Sequence, residues 1–169
     1  LAVNPTTGAL GPVVASGTAT NTIASIFSSG PYQNMGVPGA KSYHLLAPGY
    51  GSAAGLQTGT ANPYFVRFAS SATTTVVADA MAQNPTFFSL WIGNNDVLGY
   101  ATSGGDGSNP ITSEALFTQA YNGLIATLTS NGAKGVVANI PKVTAIPLFT
   151  TVPYNPVPLD AASVTALNQ

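Results

Sequence analysis

The chain contains no cysteine, so disulfide bonds and thiolate chemistry are excluded. It has a single histidine, His44, and a single tryptophan, Trp91. Only 5% of its 169 residues are charged, against roughly 25% in an average soluble protein. The four basic residues, Lys41, Arg67, Lys134 and Lys142, are scattered, and the net charge is −1. Nucleic-acid binding depends on clustered cations that neutralise phosphates, so no nucleic-acid partner is expected. No apolar run approaches the roughly 18 residues of a spanning helix, and no transmembrane segment is expected. One histidine and dispersed carboxylates offer no metal site, and no cofactor is expected. Nucleotide-binding glycine loops and the Gly-x-Ser-x-Gly elbow of lipase-type α/β-hydrolases are missing as well.

What remains is 45% apolar, and Ser plus Thr number 34, so hydroxyls and amides must supply the polar surface. That hydrophobicity argues against a disordered chain. The length suits one domain over 1–169, with the Gly/Pro/Thr/Ser-rich residues 1–31 read as irregular or edge structure. The charge-poor Ser/Thr/Asn surface leans toward export. The segment "YQNMGVPGAKSYHLL" reads as a short strand, a Gly/Pro turn and a helix beginning near Ala40. "APGYGSAAGLQTGTANPYF" reads as a long loop. A short helix is predicted from Thr75 to Gln83, stopped by Asn84-Pro85.

Phe87 to Ile92 is apolar at nearly every position and predicts a strand covered on both faces, with Trp91 in the core. After the glycine-containing loop Gly99–Asn109, the residues Phe117, Tyr121, Leu124, Ile125 and Leu128 repeat at helical spacing. Thr112 or Ser113 can cap that helix, Glu114 suits its first turn, and Asn131-Gly132 supplies a left-handed exit. Gly135 to Pro141 predicts a second strand. Strand, helix and strand in this spacing make a βαβ unit with parallel strands. Beyond Pro141 the prolines predict mostly extended loop, closed by a helical run near "AASVTALNQ".

The stretch "LWIGNNDVLGY" places Gly93-Asn94-Asn95-Asp96 at the carboxyl end of the first strand, where ligands bind in open parallel sheets. Gly, Asn and Asp are also ordinary turn formers, and position alone allows either reading. A second stretch, "NMGVPGAKS" at Asn34 to Ser42, lies upstream. With Gly-x-Asn-Asp at Gly93 to Asp96 it resembles the SGNH/GDSL hydrolases, over roughly residues 30–155. The wording around both motifs is similar to secreted or lipoprotein members from Bacteroidetes-type bacteria.

That resemblance implies a three-layer α/β/α sandwich with a parallel, flavodoxin-like sheet. The implied activity is serine-type hydrolysis of carboxylic esters, with a small-molecule, lipid or carbohydrate ester as substrate. It also implies a secreted, periplasmic or cell-surface lipoprotein location. Gly39 and Asn95 map onto the oxyanion-hole positions. Asp96 is assigned to support of the loop, with an ordinary Asx turn as the competing reading.

Neutral donors of this kind suit the chemistry, because a tetrahedral intermediate carries a full negative charge on oxygen. Glycine lets a main-chain N–H approach without a Cβ in the way. The family's Gly-Asp-Ser and Asp-x-x-His are both missing from this sequence. The nearest matches, Gly105-Asp106-Gly107-Ser108 and Asp160 followed by Ala161-Ala162-Ser163, fail in spacing. His44, beside Leu45-Leu46, is read as a structural or surface residue. Two expectations follow. Either the chain is the central part of a longer hydrolase, incomplete at both ends and needing flanking segments for its triad, or it is a binding or surface protein that has lost its triad. The loops Pro48–Pro63 and Gly99–Pro110 are expected to flank the crevice and shape substrate choice.

Overall fold

A computed structural model of the chain describes residues 2–3, 10–11, 17–18, 22–150 and 160–167. Strands β1 (Ala2–Val3) and β2 (Leu10–Gly11) form a two-residue antiparallel pair; the rest of the first 21 residues lie largely outside the described ones.

Helix α1 (Pro63–Phe68) arises inside what the sequence predicts as loop. Asn62 caps it by accepting from the Tyr64 and Phe65 N–H groups, and Pro63 fits the first helical position because no N–H is needed there. Helix α2 (Val76–Met81) is capped by Thr75 and leaves through Asn84, whose φ of 51° turns the chain before Pro85. Strand β3 (Phe87–Leu90) follows, then helix α3 (Asn94–Thr102), which the sequence reading also assigns to turn and loop. Helix α4 (Glu114–Thr129) starts at its Ser113 cap and ends before Gly132, at φ 78°. Strand β4 (Lys134–Val137) pairs in parallel with β3, Phe87 opposite Lys134 and Leu90 opposite Val137. A 3-10 turn (Val143–Ala145) and the short helix α5 (Pro147–Thr150) stand where extended loop is predicted from Pro141 to Asn155, which corrects that expectation up to Thr150. Residues 151–159 are outside the described ones, and α6 (Ala161–Leu167) follows.

The architecture is thus α/β, with the predicted βαβ unit in place. Its core has two parts. One gathers Ala40, Tyr50, Phe65 and Val76; the other gathers Val77, Leu90, Leu124 and Leu128, with Leu45 and Ile92 packed against both. Alternation along β3 turns Leu90 and Phe88 toward α4, as a pleated strand requires.

The opposite face departs from expectation. Phe87 is 61% and Trp91 66% exposed, and Val136 on β4 is exposed beside them. Trp91 is therefore not a core residue, because no described element covers that face of the sheet. The segment 32–37, predicted as a strand, pairs with no strand among the described residues. The helix predicted from Ala40 is a 3-10 turn of five residues, Ser42–Leu46, which ends where Ala47 is held extended before Pro48.

Candidate functional site

The Gly93-Asn94-Asn95-Asp96 cluster opens α3. Gly93 takes φ 115°, and a Cβ there would lie 2.6 Å from Ile140 Cδ1 and 3.1 Å from Phe117 Cε2. Backbone and packing both demand glycine, which lets β3 turn sharply into the helix. Asp96, in the first turn, is 2% exposed. Its carboxylate accepts from the Ser42 N–H and the Ser42 hydroxyl, each at 2.8 Å, and its carbonyl accepts from Thr112 N–H at 2.9 Å. A buried carboxylate without such donors would be costly; here two from one residue offset its desolvation. Asp96 is thus more than a local Asx turn, since its partners lie 54 positions away in sequence.

Asn95 reaches the same loop: its Nδ2 donates to the Ala40 carbonyl at 2.9 Å. The start of α3 and the segment after Gly39 are therefore joined by three hydrogen bonds. Gly39 stands exposed in a turn at φ 78°. Its N–H and the second N–H of the Asn95 carboxamide have no acceptor among the described residues. Because the following 3-10 turn begins only at Ser42, the expected placement of Gly39 at a helix start is corrected. A backbone dipole contributes little to anion binding there, and any such role falls on the individual donors. Asn94 Oδ1 is buried with no partner among the described residues, and Asn94 is one of the residues lining a trough of about 1220 Å³.

Other side chains support these. Asn62 Nδ2 donates to the Pro38 carbonyl at 2.9 Å and to the Tyr50 hydroxyl at 3.1 Å, fixing the turn from its other flank. This role was readable only as a helix cap in Asn62-Pro63. His44 accepts the Lys41 N–H on Nδ1 at 3.0 Å and stacks on Tyr50, ring centroids 4.5 Å apart. Its pKa is lowered, first by burial and then by the Lys41 charge, with Asp96 opposing. Ser42 is fully buried and committed to Asp96. The two residues therefore act as structure, and no serine–histidine pair is formed between them.

The trough is lined by Pro31, residues 33–37, Ala40 and residues 86–95, so it includes Asn95 but not Gly39. Neither loop Pro48–Pro63 nor loop Gly99–Pro110 contributes to that lining; Asn62 and Tyr50 instead brace the Gly39 turn. The expected flanking role of these loops is corrected for this trough. Among the described residues no three His, Asp or Glu side chains gather as metal ligands, and no helix is long and apolar enough to cross a membrane. Comparison with protein-family models, with curated proteins and with solved structures yields no match.

Proposed function

We propose that this chain is the oxyanion-binding part of a serine-type hydrolase of carboxylic esters, of the SGNH kind, on a three-layer α/β/α scaffold. One observation carries the reading. Asn95 bonds the carbonyl of Ala40, the residue directly after Gly39, while a donor on each of Gly39 and Asn95 has no acceptor among the described residues. Neutral N–H donors on Asn95 and on the turn it bonds, at the carboxyl end of a parallel strand, suit an oxygen that gains charge as an ester is attacked. Asp96 positions them by clamping Ser42, and acts on no substrate atom itself. The nucleophile and its base come from residues other than Ser42 and His44.

The test is Asn95→Ala in the full-length protein, assayed on a short-chain aryl ester. Turnover should fall by about 10²–10³-fold with the circular dichroism spectrum retained. Unchanged turnover removes Asn95 from the mechanism.

A second reading is a non-catalytic binding or surface protein on the same scaffold. It is favoured by the engagement of Ser42 and His44 in structural bonds. Failure of the full-length protein to react with a serine-directed phosphonate, with ligand binding retained, would select it.

A further inference from the structure

Residues 37–40 close a reverse turn, with the Ala40 N–H donating to the Val37 carbonyl at 3.1 Å. Proline at the second position fixes φ at about −65°, and Gly39 at the third takes φ 78°, which makes the turn type II. Types I and II differ chiefly by rotation of the central peptide through about 180°. Here that peptide joins Pro38 to Gly39, so its orientation decides which way the Gly39 N–H points. A Cβ on Gly39 would meet nothing within 4 Å, so glycine is required by the backbone angle and not by room.

Three of the four N–H groups from Gly39 to Ser42 are engaged: Ala40 with Val37, Lys41 with His44 Nδ1 at 3.0 Å, and Ser42 with Asp96 at 2.8 Å. That of Gly39 has no acceptor among the described residues. The other end of the same peptide is held, because the Pro38 carbonyl accepts from Nδ2 of the buried Asn62 at 2.9 Å. In a planar trans peptide the C=O and N–H point in opposite directions. A side chain that takes the oxygen on one side therefore fixes the hydrogen toward the other. Helix capping does not account for this bond. The cap uses only Asn62 Oδ1, on the Tyr64 and Phe65 N–H groups, and serine or aspartate caps comparably. Asparagine adds a donor aimed at the turn.

We propose that Asn62 is a positioning residue, which locks the Pro38–Gly39 peptide in its type II orientation and so presents the Gly39 N–H as a free donor. The inference rests on the ester-hydrolysis reading above, in which Gly39 serves the developing oxyanion. Asn62 itself acts on no substrate atom. Without its pull the peptide can turn over and withdraw the donor, while the bond from Ala40 to Val37 keeps the turn closed. Glycine permits both orientations, since φ of either sign is open to it.

The test is Asn62→Asp in the full-length protein. The carboxylate still caps α1, but it sets an acceptor oxygen against the Pro38 carbonyl. Repulsion then favours the flipped peptide, whose Gly39 N–H the carboxylate can accept. A type II turn brings Pro38 Hα close to the Gly39 amide proton and a type I turn does not, so the nuclear Overhauser effect between them reports the orientation. That signal should be strong in the wild type and weak in the variant. On a short-chain aryl ester, kcat should fall by about 10²-fold with KM changed less than about twofold, because the donor serves the transition state more than the bound ester. Asn62→Ser, an uncharged cap, should move both readouts the same way by a smaller amount. A signal of wild-type strength in both variants overturns the proposal, as does a lost signal with kcat unchanged. If Asn95→Ala cuts turnover and Asn62→Asp does not, the hydrolase reading stands and this inference fails. Absence of ester turnover in the wild type sinks the hydrolase reading, whereas loss of the signal in Asn62→Asp still supports the lock.

Discussion

Asp96 and Ser42 form the contact on which the local geometry most depends. Asp96→Ala leaves a buried N–H and a buried hydroxyl unpaired, and each such loss costs on the order of 1–3 kcal/mol. Denaturant unfolding should show a loss of several kcal/mol, larger than for Asp96→Asn, which keeps one acceptor oxygen. A loss under 1 kcal/mol would mean the clamp is not formed. His44 makes a pH-dependent contribution. Its folded pKa lies below the ordinary 6.5, so the unfolded chain takes up the proton first as pH falls. Stability is therefore at its full value above the unfolded pKa. It should decline as pH drops through about 6.5 and level off below the folded pKa. Protonation also removes the acceptor for Lys41 N–H. His44→Asn, which can keep an acceptor without titrating, should flatten unfolding free energy across that window.

Among the elements, α2, α4 and the β3–α4–β4 unit were legible because each carried local signals that agreed with burial. Ser113, Glu114 and Gly132 mark the ends of α4, and Leu124 and Leu128 mark its buried stripe. Helices α1 and α3 were not legible. Gly93-Asn94-Asn95-Asp96 has strong turn propensity, yet Asp96 at the first turn and Gly93 as the left-handed entry start a helix once Ser42 supplies a partner. At α1 the Asn62-Pro63 pair was a start signal masked by the glycines around it. Asn62→Ala should destabilise by about 2 kcal/mol or more, since the cap alone accounts for roughly 0.5–2 and the bonds to Pro38 and Tyr50 are lost too. A smaller change in the unfolding midpoint would show that the Asn62 network is not formed in solution.

For the molecule as a whole, the parallel pair β3–β4 is packed on one face, and no element among the described residues covers the other. Parallel strands are ordinarily buried on both faces, which is why Trp91 reads as core from its neighbours. As the sole tryptophan, Trp91 reports directly on that face. Its fluorescence should be red-shifted and quenched by acrylamide nearly as readily as free tryptophan in the isolated 169-residue chain. A blue-shifted, protected emission would mean that a further layer or a second molecule covers the sheet. The apolar face and the uncharged trough share one cause. A chain with nine charged residues has few side chains able to guard exposed edges and faces against association, the role charged residues usually perform.

Composition, helix stripes and caps were enough to establish an α/β chain with a βαβ unit, because those properties are set within a few turns of the residues concerned. The two candidate donors, Gly39 and Asn95, were also visible, though through motif resemblance more than through local physics. The partners of Asp96, the bracing by Asn62, the open face at Trp91 and the trough beside β3 came only from tertiary structure. Each depends on residues far apart in sequence meeting, or failing to meet, and periodicity carries no information about such encounters.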